Sequence, residues 1–324
     1  MTENFSTFAL WDDEDPEVTG RRAEFSRRHM EKINVYEQIS RNKINSAVLF
    51  TVFFLLMAVL GYILGHISGY GIGMVFGALI IAVIQGFIGY YHSDNIILGI
   101  SNARPLEKRE YPFVYHIVEA LSLGQGLPAP KIYVIDDTAP NAFAAGRDPE
   151  HGVVAVTTGL LSKLTRYEIE GVVAHEISHI RNYDIRLAGL AAILAGAVAL
   201  LSDFFLRSFR FRRRGRDETG GIVAIIGIAL AILAPLAGLL IQMAISRKRE
   251  YLADSSAAYL TKNPEGLASA LEKIARDADP LEVANKATAH LYIINPLTEH
   301  KGMVKNLFST HPPVEERIKI LRGM

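Results

Sequence analysis

Two histidines and a glutamate in GVVAHEISHIRNYD, residues 171–184, have the types and the spacing of a metal site. Side chains four residues apart lie on one face of a helix, so the imidazoles of His175 and His179 can bind one ion. Glu176 follows the first histidine, and a carboxylate beside zinc can accept a proton from water that the ion activates. This H-E-x-x-H pattern is typical of zinc peptidases. The alternative is the polar face of an ordinary solvated helix.

A catalytic zinc needs a third protein ligand, and the residues near the motif do not supply it. Ile185 stands where a third histidine of the same stretch would lie, and the sequence around Val198 is apolar. Glu250 in REYLADSSA is the best candidate. Asp254 follows one helical turn later, which suits a residue that orients a ligating histidine. The alternative for this acidic pair is a surface charge pattern, since three basic residues directly precede Glu250.

Apolar runs before the motif indicate a membrane protein. Hydrophobic residues make up 50% of the 324-residue chain, and residues 47–65 and 71–91 carry no charge. Each run has about the ~20 residues with which a helix crosses a bilayer, and the short connection predicts a tight hairpin. Basic residues precede the first run and none lies in the turn, so we expect the flanking chain on the cytoplasmic side. The predicted location is the cell membrane, multi-pass, with the catalytic part in the cytoplasm.

Two later apolar runs, residues 187–201 and 220–246, are harder to place. The loop between them, RSFRFRRRGRDE, contains six arginines, and a full crossing would export it against the positive-inside rule. Either the two runs form a hairpin that does not fully cross the bilayer, or they cross and the basic loop is tolerated outside. Both interpretations return the chain to its starting side, which brings His179 and Glu250 to the same membrane surface.

Composition excludes several kinds of site. The chain has no cysteine, so thiolate nucleophiles and sulfur ligands are ruled out and any metal must be held by His, Asp or Glu. Acidic and basic residues balance at 34 each, which removes the electrostatic case for a nucleic-acid partner. The lipid bilayer and a polypeptide substrate are the expected partners.

The remaining segments predict a small sheet and several helices. KIYVID, NAFAAG and GVVAVTTGLL are expected to form strands, and a helix is expected over residues 112–121. Thr165 and Glu168 form a capping box, so the motif helix should begin near Arg166. Further helices are expected in REYLADSSAAYL, PEGLASALEKIARD and PPVEERIKILRG. The predicted fold class is a mainly α membrane protein with an α+β, zincin-like metalloprotease domain that contains a small sheet and is interrupted by apolar helices.

The predicted organisation has five parts. These are a cytoplasmic N-terminal segment (1–45), a transmembrane helical hairpin (46–92), the first half of the protease domain with the H-E-x-x-H helix (93–186), a second apolar hairpin with the basic loop (187–246), and the second half of the protease domain with the third ligand (247–324).

Taken together, these motifs resemble those of the HtpX-type membrane zinc endopeptidases, which are related to the CAAX prenyl proteases. The resemblance runs nearly end to end, through YEQISRNK, the hairpin, NAFAAG, HEISHIRNYD, REYLAD and STHPPVEERI in that order. It implies one zinc ion per chain, held by His175, His179 and Glu250, with Glu176 as general base and Asp254 supporting a ligand.

The resemblance also implies a substrate-binding edge strand in NAFAAG. Asn141 and Phe143 belong to that strand, and His311 of STHPP is implied to contact substrate or the oxyanion. Other interpretations stay open: Asn141 could cap a turn after Pro140, and His311 could simply precede a helix. Asp184 also matches the family, and it could anchor a helix end rather than touch the chemistry.

The function implied by the resemblance is hydrolysis of misfolded or damaged membrane proteins, or of unfolded polypeptides, in protein quality control under stress. A protease for prenylated tails is the nearest rival, but that family surrounds an internal chamber with more spans. The rival from another class is a non-catalytic zinc-binding membrane scaffold or transporter. Transport would favour ionisable residues within the spans, and the first two apolar runs have none.

Overall fold

Two long apolar helices open the part of the chain that the structure describes. The computed structural model describes residues 35–212, 246–277, 279–282, 288–296 and 312–324. Helix α1 (Val35–Ser68) and helix α2 (Gly73–Ile100) form an antiparallel hairpin, and both are long and apolar enough to cross a membrane. The predicted hairpin is thus confirmed as a pair of helices, although each helix extends beyond its apolar run.

The turn of the hairpin and its close packing depend on glycine. Gly69 and Gly71 have φ angles of 77° and 55°, the left-handed region that glycine adopts without a steric penalty. A Cβ added to Gly61 would lie 2.8 Å from a backbone oxygen of α2, so the absence of a side chain lets the two helices approach. The other face of the hairpin presents apolar side chains such as Leu55 and Phe76, both 63% exposed, which suits contact with lipid.

A four-stranded mixed sheet forms one layer of the domain that follows. Its strands are β1 (Arg104–Pro105), β2 (Lys131–Ile135), β3 (Ala142–Ala145) and β4 (Val153–Thr157), in the spatial order β1-β2-β4-β3. β2 and β4 are parallel, and the two outer pairs are antiparallel. The three predicted segments each contain a strand, although the end of GVVAVTTGLL, from Thr158 onward, is helical. β3 lies at an edge of this sheet.

Helices cover the sheet and continue the chain. They are α3 (Pro112–Gly124), α4 (Thr158–Lys163), α5 (Arg166–Arg181), α6 (Asp184–Arg212), α7 (Arg247–Thr261), α8 (Pro264–Arg276) and α9 (Val314–Arg322), with 3-10 turns at Pro149–His151 and Ala289–Leu291. A core of aliphatic side chains from α3, α5, α8 and the sheet joins these layers. The helices predicted in the soluble segments are confirmed, to within a few residues at their ends.

Helix α5 begins where its capping residues predict. The Glu168 carboxylate accepts a hydrogen bond from the backbone N–H of Thr165 at 2.7 Å. Backbone N–H groups at the start of a helix have no partner within the helix, so this bond satisfies one of them. Further along α5, a Cβ added to Gly171 would lie 2.7 Å from the backbone nitrogen of Leu267 in α8. This glycine therefore permits the backbone contact that packs α8 against the motif helix.

The third apolar run lies within α6, which continues past Asp203 to Arg212. Helices α5 and α6 meet at a bend of 81° and, taken as one unit, also pass the length and composition test for a membrane span. Nearly all of the fourth apolar run, and the basic loop from residue 213 onward, lie outside the described residues. Whether these two runs cross the bilayer therefore stays a prediction.

Candidate active site

The second half of α5 and the first turn of α7 bring three potential metal ligands together. The Nε2 atoms of His175 and His179 lie 3.1 Å apart, and each is 3.7 Å from an oxygen of Glu250. Ligand atoms from these three residues all lie within 4.8 Å of one another. The predicted third ligand therefore reaches the histidine pair, although 71 positions separate Glu250 from His179 in the sequence.

The burial and charge of these groups suit a bound cation. Burial lowers the pKa of His175 to about 4. Burial also disfavours the charged form of His179, but the hydrogen bond with Asp184 and the charge of Glu250 prevail and raise its pKa to about 9. These pKa directions favour a proton on His179, at the point where two nitrogens and a carboxylate converge. Two imidazoles and one carboxylate form the donor set of a catalytic zinc site, and a cation can take the place of that proton.

His175 is oriented by a carboxylate that belongs to the same domain. Its Nδ1 lies 2.9 Å from Asp254, which leaves Nε2 directed at the other potential ligands. The guanidinium of Arg317, on α9, donates to both oxygens of Asp254 at 2.7 and 2.8 Å and to the carbonyl of Ile293 at 2.9 Å. Burial would raise the pKa of Asp254, but Arg317 and His175 outweigh it and hold the pKa at about 2.

His179 is oriented by a carboxylate that a membrane helix contacts. Its Nδ1 lies 2.9 Å from Asp184 Oδ2. The other oxygen of Asp184 accepts a hydrogen bond from the amide of Asn42, in α1, at 2.7 Å, and lies 3.2 Å from Nε of Arg249. Asp184 is also the first residue of α6, so both interpretations of this residue apply: it begins a helix and it contacts a potential ligand.

Glu176 is buried beside the histidines, with 2% of its surface exposed. Burial and the nearby charge of Glu250 raise its pKa to about 7, against the opposing effects of His179 and of a backbone hydrogen bond from Ala144. A carboxyl group with a pKa near neutrality can both accept and release a proton at physiological pH. This position therefore suits acid–base chemistry better than a solvated helix face would.

A cleft opens in front of these residues. The ligand residues and Glu176 line this cleft, together with Ala144 of β3, Ala188 of α6 and the segment 290–293. His290 lines this cleft and its Nε2 lies 3.3 Å from the carbonyl of Ala188. Nothing in the sequence indicates a role for His290 in this cleft, because no spacing relates it to the motif.

Two residues that the resemblance assigns to substrate binding, Asn141 and Phe143, have buried side chains. Asn141 is buried, donates to the carbonyl of Ile294 at 3.0 Å and accepts from the N–H of Ala142. Phe143 is fully buried and its ring packs edge-on against Tyr292, with centroids 5.2 Å apart. Neither side chain lines the described part of the cleft, where β3 is represented by Ala144. His311 lies outside the described residues.

Two residues of the site were missed in the sequence. Arg317 occupies a position on the apolar stripe formed by Val314, Ile318 and Leu321, and a charge on such a stripe indicates a buried partner. Asn42 lies in YEQISRNK, one of the motifs of the resemblance, but nothing in this segment indicates a buried partner for its amide. The contact of Asn42 with Asp184 spans 142 positions and follows only from the tertiary fold.

Comparison with known proteins identifies the family. The model of "Peptidase family M48" matches residues 109–324. The "Protease HtpX homolog" of Dictyoglomus thermophilum is 48% identical over 91% of this chain and 96% of its own length. The homologues of Caldanaerobacter subterraneus and Tropheryma whipplei are 44% and 42% identical, over 91% and 90% of this chain and 99% and 98% of their own lengths.

Among solved structures, the crystal structure of S. mikatae Ste24p matches with a TM-score of 0.48 and 19% identity, and the match covers 88% of this chain and 67% of that one. The family model, the identities near one half and the two span-length helices describe a membrane-bound metalloprotease. The chain belongs to peptidase family M48 and, within it, to the HtpX proteases.

Proposed function

We propose that this chain is a zinc-dependent endopeptidase in which His175, His179 and Glu250 hold one zinc ion and Glu176 is the general base. The observation that supports this assignment best is the convergence of the three donor groups within 4.8 Å, with both imidazoles oriented through Nδ1 by buried carboxylates. Carboxylate–histidine–metal arrangements of this kind fix the tautomer that presents a lone pair to the ion.

The proposed chemistry divides between the metal and the protein. A zinc ion at this site supplies Lewis acidity, which activates water and polarises a peptide carbonyl. Glu176 takes the proton from the attacking water and delivers it to the nitrogen of the departing amine. Its raised pKa, at about 7, matches both halves of this transfer. The backbone hydrogen bond from Ala144 holds the carboxylate toward the cleft.

An extended substrate would bind by adding a strand beside β3, along residues 141–146. The carbonyl of Ala142 already accepts a hydrogen bond from Ile293 at 3.0 Å, so the substrate would pair beyond that point. Ala144 and Glu176 line the same cleft, so we expect the scissile bond to lie near Ala144. Specificity would then depend mainly on the substrate backbone and on accessibility rather than on one side-chain pocket.

We further propose that the active site lies at the cytoplasmic face of the cell membrane and acts on misfolded or damaged membrane proteins and unfolded polypeptides, as part of stress-linked quality control. Aromatic and basic side chains cluster at the end of the hairpin nearest α5. Arg147 lies 5.2 Å from the ring of Tyr91, Arg186 lies 5.5 Å from that of Tyr90, and Lys43 is above Tyr183. Such residues favour the headgroup level of a bilayer, so the cleft would lie close to the lipid surface.

Proteolysis by the purified full-length protein tests the enzymatic assignment. Wild-type protein with zinc is expected to cleave casein or a membrane-protein substrate. Glu176→Gln should bind zinc with unchanged stoichiometry yet lose cleavage, because the amide cannot take up the proton. Glu170→Gln, on the same helix, is the matched control and should cut normally. Equal proteolysis by the Glu176 variant would refute the general base.

Cysteine labelling tests the orientation, and the absence of native cysteine removes background. Tyr70→Cys lies in the hairpin turn at a position 77% exposed, and Leu123→Cys lies at the end of α3 at a position 81% exposed. An impermeant maleimide applied to intact cells should label the first variant and reach the second only after permeabilisation. The reverse pattern would contradict a cytoplasmic active site.

The alternative function, a non-catalytic zinc scaffold or a transporter, makes a different prediction. It gives no role to a buried carboxylate of raised pKa beside the three donors. In that case wild type and Glu176→Gln would bind zinc alike and neither would cleave any substrate.

A further inference from the structure

We propose that Asn42, at the start of the first membrane helix, is a positioning residue of the metal site, so that the membrane hairpin is a structural part of the active centre as well as an anchor. This inference rests on the proposed metal ligands. It concerns a residue outside the matched family model, which begins at residue 109.

The side-chain amide of Asn42 makes two donations across the bend between α5 and α6. Its nitrogen donates to the carbonyl of Asn182 at 2.8 Å and to Oδ1 of Asp184 at 2.7 Å. Both partners are acceptors, so only the amide nitrogen can face them, and this determines which way the amide is turned. Tyr183 lies between the two acceptors with a φ of 61°, a conformation that disfavours residues other than glycine. The amide therefore holds a strained corner in place.

Burial makes these hydrogen bonds consequential. Asn42 has no exposed surface, and Asp184 and Asn182 are 6% and 2% exposed. Water cannot readily replace the amide in such a place, so its loss leaves two buried acceptors deprived of a donor. The carboxylate of Asp184 would then lose one of the groups that fix its rotation.

The rotation of Asp184 determines the orientation of His179. Oδ2 of Asp184 lies 2.9 Å from Nδ1 of His179, while Asn42 and Arg249 both contact Oδ1. Arg249 directly precedes Glu250, the third potential ligand. One carboxylate thus connects the first membrane helix, the motif helix and the helix that carries the remote ligand. Substitution of a residue that orients a metal ligand typically lowers metal affinity or activity by roughly 10–100-fold.

Zinc affinity of full-length protein in detergent, measured by competition with a chelating indicator, tests the proposal. Asn42→Ala is expected to bind zinc about 10–100-fold more weakly than wild type. With cobalt in place of zinc, its visible absorption spectrum should change, because the imidazole of His179 is less well oriented. At saturating zinc the loss in cleavage should fall on kcat, with KM for a peptide unchanged. Asn42→Ser, which cannot reach both acceptors, gives the same test if the alanine variant does not accumulate.

Two comparisons separate positioning from general stability. Asn45→Ala, three residues further along α1, is the matched control and should keep wild-type zinc affinity and cobalt spectrum. In the background of Asp184→Ala, the Asn42 substitution should cause no further loss of affinity, because the residue through which it acts is gone. A merely structural role would lower the melting temperature while leaving metal affinity and the cobalt spectrum unchanged, and would add its effect in both backgrounds.

The outcomes distinguish this proposal from the function on which it rests. If wild type binds no zinc, the proposed metal site fails. If wild type binds zinc and Asn42→Ala shows wild-type affinity and an unchanged cobalt spectrum, the positioning role alone is overturned.

Discussion

The two histidines of the motif share a helix but are held by different parts of the molecule. His175 is held through Asp254 and Arg317, which belong to the domain that the family model covers. His179 is held through Asp184, whose carboxylate contacts the membrane helix through Asn42. The position of His175, in one half of the site, therefore depends on packing within the domain, and the position of His179, in the other half, depends also on how the hairpin packs against α6.

The two halves also differ in their electrostatics. Asp254 faces a fully buried guanidinium that donates to both of its oxygens, a strong, geometrically fixed pair. Asp184 faces a neutral amide and a single contact of 3.2 Å with Arg249. We expect the first half to tie metal binding to global stability and the second half to tune the metal with a smaller effect on folding.

The largest effect on stability should follow from Arg317→Met, which removes the guanidinium and leaves the carboxylate of Asp254 buried without it. Breaking a buried pair from one side typically costs about 3–5 kcal/mol, because the remaining charge is uncompensated. Denaturant unfolding in detergent measures this loss. Arg322→Met, on the same helix but 43% exposed at its side chain, is the control and should change the free energy of unfolding by less than about 1 kcal/mol. Similar stability of the two variants would remove the distinction between the halves.

Asp254→Asn and Asp184→Asn compare the halves directly. Both should weaken zinc binding by roughly 10–100-fold, since each removes the carboxylate that orients a histidine. The metal-free form of Asp254→Asn should also unfold more readily than that of Asp184→Asn, because Arg317 loses its only charged partner among the described contacts of its side chain. Zinc competition and unfolding of chelator-treated protein provide the two measurements. Equal stability of the metal-free variants would contradict the predicted division.

The smallest effect on stability is expected at the start of α5, the helix that carries both histidines. The carboxylate of Glu168 accepts hydrogen bonds from Thr165, Ser269 and Lys273 at 2.6–2.8 Å. Burial opposes its ionised form, but Lys273 and Ser269 prevail and lower its pKa below the ordinary 4.5. Its stabilisation is therefore present above that pH and is lost as pH falls through the lower pKa of the folded chain.

Glu168→Gln should accordingly destabilise the protein by about 1 kcal/mol at neutral pH, with zinc affinity unchanged. The difference in stability between variant and wild type should narrow below about pH 4, because the wild-type carboxylate becomes protonated. Thermal unfolding across this pH range checks the sign. A gap that widens in acid would show that the carboxylate is not stabilised in the folded chain.

Local patterns in the sequence predicted the parts of the fold that local physics determines. The uncharged runs predicted α1 and α2, and the Thr165–Glu168 pair predicted the start of α5. Glu250 was found by a more indirect route, from the third ligand that zinc requires and from a hairpin that must return to its starting side. It lies 3.7 Å from both imidazoles, a position that suits a third ligand, and its role as a ligand stays a prediction.

The rest of the site could not be found locally because its contacts join remote parts of the chain. Asn42 meets Asp184 across 142 positions, and Arg317 meets Asp254 across 63. Phe143 belongs to the expected edge strand, but strand alternation turns its ring into the core and leaves Ala144 lining the cleft. A role of Phe143 in substrate binding stays a prediction.

Zinc stoichiometry of the purified full-length protein is the most direct test of the metal site on which this mechanism depends. We predict one zinc per chain in wild type, one in Glu176→Gln and in the exposed control Glu315→Ala, and a clear loss in Glu250→Ala after dialysis against a weak chelator. Full zinc retention by Glu250→Ala would contradict the three-residue site.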